Sequence, residues 1–107
     1  MGWRKVGRWA EIPSGQGVRR LVDGFALAIF RVDDTPYVIE DTCSHEEASL
    51  ADGRLEGRQV VCPLHGARFD LATGRALSLP AVTGVQAFPA EIRDGELWVK
   101  LDFESGA

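Results

Sequence analysis

The chain holds two cysteines and two histidines, and each cysteine has a histidine close behind it: Cys43-x-His45 and, sixteen residues on, Cys62-x-x-His65. Each pair offers one soft thiolate and one imidazole, so two loops together supply four ligands, the stoichiometry of a metal site. In the second loop, Pro63 stiffens the chain between its ligands, and Gly66 lets the backbone come close to a bound group or relieves a tight bend. A single tetrahedral zinc accepts two cysteines and two histidines. Structural zinc sites, however, usually pair cysteine with cysteine and histidine with histidine along the chain. Here both pairs are mixed.

The elements that must position these ligands read as strands. Asp23-Gly24 splits the stretch from Val18 to Val32 into two β-prone runs, a strong hairpin signal. Asp33-Asp34-Thr35-Pro36 turns the chain into a strand over Tyr37–Glu40, and Asp94-Gly95 joins Val85–Ile92 to Glu96–Leu101. Trp3–Trp9 fits an edge strand closed by Ile12-Pro13-Ser14-Gly15, and only Glu46–Ala51 suits a helical turn, too short to nucleate alone. From Asp41 to about Pro80, turn residues dominate, braced by Gln59-Val60-Val61 and Arg68-Phe69-Asp70-Leu71. The expected architecture is all-β, built of short antiparallel hairpins. A loop-rich subdomain, about residues 41–80, is inserted between strands, and with so little core of its own it is expected to need a metal or disulfide staple.

At 107 residues the chain is expected to form one domain, 1–107. A composition 45% hydrophobic, with 12 glycines and 5 prolines, suits a turn-rich globular protein. The formal charge of -4 and the near absence of lysine argue against a nucleic-acid partner. No apolar run reaches the ~18–20 residues of a membrane span, and MGWRKVGRWAEI lacks the apolar stretch of a secretory signal. Thiolates used as ligands imply reduced cysteines and a cytoplasmic protein.

C-x-H, a gap of sixteen, then C-P-L-H-G resembles the signature of the Rieske iron–sulfur family. The resemblance implies a [2Fe–2S] cluster, one per chain, with Cys43 and Cys62 on the inner iron and His45 and His65 on the outer one. It also implies an antiparallel β-domain with the cluster-binding part inserted between strands. Replacing two thiolates by neutral imidazoles brings the oxidised cluster from a net charge of about -2 to about zero. That raises the potential into a range of roughly -150 to +300 mV, against about -400 mV for four-cysteine plant-type ferredoxins.

Within the family, the respiratory branch has two further cysteines bridging the cluster loops, where this chain has Ala48 and Leu64. It also has a serine and a tyrosine where this chain has Ala67 and Phe69. The chain is most similar to the Rieske ferredoxins of bacterial aromatic-ring-hydroxylating dioxygenase systems, in part through Ser44-His45-Glu46-Glu47-Ala48-Ser49-Leu50. That similarity implies an electron carrier and not an enzyme, with a flavin-dependent ferredoxin reductase and a terminal oxygenase as partners. The small Rieske subunit of an assimilatory nitrite reductase is the alternative, and a zinc-stabilised binding module a more distant one. Both histidines are committed to the cluster, so none remains for a mononuclear oxygenase iron.

Among other residues, Glu46 and Glu47 are placed to steer a basic partner or simply to be solvated. Leu79-Pro80-Ala81 resembles a third loop over the cluster. Trp3, Trp9 and Trp98 read as sheet packing, and Arg54, Arg58, Arg68 and Arg75 as surface charges without an assigned role.

Overall fold

The computed structural model describes residues 2–42, 48–64, 66–79 and 83–101. It is all-β, as expected. Trp3–Arg8 (β1) runs along the edge of a sheet in the order β1-β10-β9, with β9 spanning Ala90–Arg93 and β10 Glu96–Lys100. Gly17–Val22 (β2), Phe25–Val32 (β3), Thr35–Glu40 (β4) and Ala87–Phe88 (β8) form a second sheet in the order β2-β3-β4-β8. Arg54–Glu56 (β5), Gln59–Val61 (β6) and Arg68–Asp70 (β7) make the third, and every strand pairing is antiparallel.

Three of the two-residue turns that fold the hairpins share one geometry. Both central residues of Asp23-Gly24, Asp33-Asp34 and Asp94-Gly95 have positive φ, the signature of a turn whose twist matches that of its strands. Two boundaries depart from the sequence reading. Aspartate tolerates the left-handed region, so the turn before β4 closes on Asp33-Asp34 and the strand starts at Thr35, two residues early. The run expected over Val85–Ile92 breaks at Pro89, which has no N–H for a ladder; β8 joins the second sheet and β9 the first.

The middle of the central sheet, β3 with part of β4, is buried on both faces, which explains the uninterrupted apolar run of β3. Leu27 and Ile29 point with Val38 into a core shared with Trp9, Phe88, Leu97 and Val99. Ala28, Phe30 and Ile39 point the other way, into a core with Leu50, Val60, Cys62, Ala67, Phe69 and Leu71. The inserted subdomain therefore does have apolar residues of its own, and it buries them against the central sheet. Each fully buried large side chain contributes about 1.5–3 kcal/mol. The tryptophans pack as expected: Trp9 is buried beneath Arg31, while Trp3 and Trp98 flank Arg93. Among the described residues, no helix is long and apolar enough to cross a membrane.

Candidate metal centre

Both ligand loops leave the ends of strands. The first departs from β4 through Asp41 and Thr42, and a bridge between Thr42 and Ser49 closes its base. Cys43, His45 and the adjoining Glu46 and Glu47 lie outside the described residues. The expected helical turn over Glu46–Ala51 is a 3-10 turn at Leu50–Asp52.

The second loop links β6 to β7. Its base is closed by the Cys62 N–H donating to the Ala67 carbonyl (2.7 Å) and the Gly66 N–H donating to the Cys62 carbonyl (3.0 Å). Gly66 has φ of 74°, and an added Cβ would meet nothing within 4 Å. Glycine is thus needed there for its conformation. Cys62 is buried and forms no disulfide among the described residues, and His65 lies outside them.

Cys62 and Ala67 share one apolar cluster with Ala48, Leu50 and Ala51, the residues that follow the first loop. The bases of the two loops therefore converge. A thiolate in such a setting is costly unless it is bound to a metal. A donor set of two thiolates and two imidazoles, delivered in mixed pairs, suits a group whose two ends prefer different ligands, so the residues fit an iron–sulfur cluster.

Asp41 was read from the sequence only as the start of the inserted segment, but it anchors the first loop. It is 2% exposed, the one buried charged residue among those described. Its carboxylate accepts hydrogen bonds from Ser49 Oγ (2.8 Å), the Ala51 N–H (2.9 Å) and Arg19 Nε (3.1 Å). Its own N–H donates to the Ala26 carbonyl on β3, and its carbonyl accepts from the Leu50 N–H. One residue thus ties the start of the loop to its end and both to the central sheet. Its partners lie eight, ten and twenty-two positions away, so the sequence carries no local signal of the role.

At the outer edge of the subdomain, Glu56 bonds Arg68 from β7 and Arg54 from β5. These two arginines have a partner the sequence did not reveal. The Arg68 hydrogen bond first, and then that from Arg54, hold the Glu56 carboxyl below its ordinary range. The main chain of Arg58 and Arg75 accepts bonds from Leu71 and Asp70, closing the subdomain's turns. Leading to the expected third loop, the Leu77 N–H donates to the Arg68 carbonyl, and Ser78 Oγ accepts from the Arg68 N–H. Leu79 follows at 77% exposed, and Leu64, in the cysteine loop, is 60% exposed. Pro80 and Ala81 lie outside the described residues.

Residues 2–89 match the family described as Rieske [2Fe-2S] domain. A naphthalene 1,2-dioxygenase system ferredoxin component from Pseudomonas aeruginosa is 38% identical over 91 residues, 85% of this chain and 88% of that protein. The ferredoxin in a complex of reduced oxygenase and oxidized ferredoxin of carbazole 1,9a-dioxygenase superposes with a TM-score of 0.86 at 36% identity, covering 95% of each chain. A putative NADH-dependent nitrite reductase small subunit from Mycobacterium tuberculosis gives a TM-score of 0.85 at 25% identity, over 95% of this chain and 96% of that one. With its ligand spacing, its inserted subdomain and this match across most of its length, the chain belongs to the Rieske family, and its cofactor is a [2Fe–2S] cluster.

Proposed function

We propose that this protein is a one-electron carrier that takes an electron from a flavin-dependent ferredoxin reductase and delivers it to a terminal ring-hydroxylating oxygenase. It is an electron-transfer component and not a catalytic subunit. The observation that carries the reading is the pair of mixed Cys/His loops whose bases meet on one apolar cluster. Cys43 and Cys62 would hold one iron, and His45 and His65 the other. The bound cluster supplies a single-electron couple.

The chain's own residues then have three tasks. The Thr42–Ser49 bridge and the Cys62–Ala67 hydrogen bond close the bases of the two loops that carry the ligands. The buried side chains around Cys62 exclude water from its side of the site. Exposed Leu64 and Leu79, on segments joined to the start of β7, give the partner an apolar surface beside the ligands. The chain acts as a single domain over 1–107, with residues 41–80 as its cluster-binding subdomain, and the use of thiolates as ligands supports a cytoplasmic location.

The nitrite reductase small subunit is the second reading. It has close structural likeness in its favour but weaker identity than the dioxygenase ferredoxins. Iron, zinc and sulfide analysis of anaerobically purified protein tests the cofactor assignment. Two irons and two acid-labile sulfides per chain are expected, and one zinc without sulfide overturns it. Electron transfer to a dioxygenase oxygenase, assayed against transfer to a nitrite reductase large subunit, separates the two physiological readings.

A further inference from the structure

A buried carboxylate two residues before a cluster ligand has an electrical consequence as well as a mechanical one. Asp41 lies two positions ahead of Cys43, so the two Cα atoms are at most about 7 Å apart. Its negative charge disfavours adding an electron nearby. Arg19, on β2, donates Nε to Asp41 Oδ2 at 3.1 Å, and its side chain is half-exposed. The pair borders an open cavity of about 310 Å³, lined also by Thr42, Ala48 and Ser49. Arg19 pairs with Ala28 in the sheet, and so it rises from the face on which the cluster subdomain rests.

We propose that Asp41 and Arg19 form a potential-setting ion pair. Asp41 is a positioning residue that locks the first ligand loop through Ser49 and Ala51, and Arg19 cancels its charge so that reduction is not penalised. The inference rests on the cluster assignment made above. A buried carboxylate is the stronger clamp because it accepts several donors at once, and the arginine offsets its electrostatic drawback.

The sign of each substitution follows. Arg19→Gln leaves the carboxylate uncompensated and shifts the equilibrium toward the oxidised form. The change expected from one unit charge acting through an effective dielectric of about 20–40 is roughly three- to tenfold. The upper figure is equivalent to about 59 mV for one electron. Arg19→Lys keeps the charge and stays near wild type. Asp41→Asn shifts the equilibrium toward the reduced form, and the double variant Arg19→Gln/Asp41→Asn returns toward wild type.

The test is spectroelectrochemical titration of the cluster-loaded variants at low and high salt, beside metal and sulfide analysis of each. Expected are opposite shifts for the two single charge removals, rescue by lysine, and a smaller Arg19→Gln shift at high salt, because solvent reaches that side chain. Loosening of the loop alone would move both single variants in the same sense. Such same-sense shifts, or an Arg19→Gln midpoint equal to wild type at low salt with the cluster intact, overturn the proposal. Should Asp41→Asn not fold, the Arg19 variants still decide it. Wild-type protein without iron and sulfide would instead overturn the cluster assignment itself.

Discussion

Replacing Gly17 by alanine probes how the ligand subdomain is seated. Gly17 opens β2 opposite Phe30, and its φ is not positive, so alanine is not strained by backbone conformation. The cost is purely steric. A Cβ there would lie 2.6 Å from the Ala51 carbonyl oxygen, 2.8 Å from Ala51 Cα and 2.7 Å from Phe30 Cε1. None of these atoms yields easily. The Ala51 N–H is held by Asp41 Oδ1, and Ala51 sits in the turn closed by the Gly53 N–H donating to the Leu50 carbonyl. Phe30 is completely buried.

Overpacking a filled core costs typically about 1–3 kcal/mol, and two main-chain overlaps place this case at the upper end. Restricting the unfolded chain returns about 0.4–1 kcal/mol. The net loss is about 2 kcal/mol, or a fall in Tm of about 8–16 °C for a chain of this size. Because Ala51 is bonded to Asp41, relief of the overlap must also disturb the limb that carries Cys43. Gly24→Ala is the control. Its φ is +84° and its Cβ space is empty, so it strains only a hairpin tip. Anaerobic thermal unfolding should show both variants destabilised. The paramagnetic resonance spectrum of the reduced cluster should change in Gly17→Ala and stay native in Gly24→Ala. A Gly17→Ala protein that melts within a degree of wild type with an unchanged cluster spectrum would refute the idea that this contact seats the subdomain.

Two other substitutions follow from the same geometry. Ala67→Ser places a hydroxyl in a fully buried position beside Cys62. If a hydrogen bond to sulfur favours the reduced state by about 1 kcal/mol, voltammetry should show a rise of several tens of millivolts, and an unmoved midpoint with the bond formed counts against it. Phe69→Tyr has less room, because its ring already fills the core opposite Val60. Glu56 should titrate below its ordinary value of 4.5, since Arg68 and Arg54 both bond its charged form. The stability it contributes is present above that value and is lost as pH falls through the lowered one. Carboxyl NMR titration should show Arg68→Ala moving it back up, and a pKa already at 4.5 in the wild type removes the pairing as its cause.

What could be read from the sequence was whatever local chemistry encodes. Asp23-Gly24 and Asp94-Gly95 announce their hairpins because a turn with two positive φ values favours those residues. The ligand set is legible because the spacing of Cys43, His45, Cys62 and His65 is itself the signal. Asp33-Asp34 was weaker as a turn signal, since aspartate reaches positive φ less freely than glycine, and the start of β4 shifted with it. The three residues of β5 owe their conformation to β6 rather than to any β-propensity. The Glu56–Arg68 bond spans twelve positions and the Arg19–Asp41 pair twenty-two, so both exist only once the sheets have set their register.

An electron carrier gains from ligands that do not move when the charge on the metal changes, because every displacement adds to the barrier for transfer. The structure meets that need through the central sheet. Strand β3 has buried residues on both faces, Leu27 and Ile29 on one side and Ala28 and Phe30 on the other. Strands with two filled faces are among the last elements of a domain to open. Asp41 hydrogen bonds directly to β3 through Ala26, and the cluster around Cys62 packs on Phe30 and Ile39. The ligand loops are therefore tied to the least deformable part of the fold, whereas the side chains of Leu64 and Leu79 are exposed to solvent. Such a division lets the partner-facing residues change without disturbing the ligand geometry. It also predicts where substitutions should act: those at Asp41, Gly17 or Phe30 on the cluster's potential and spectrum, and those at Leu64 or Leu79 on the rate of partner encounter.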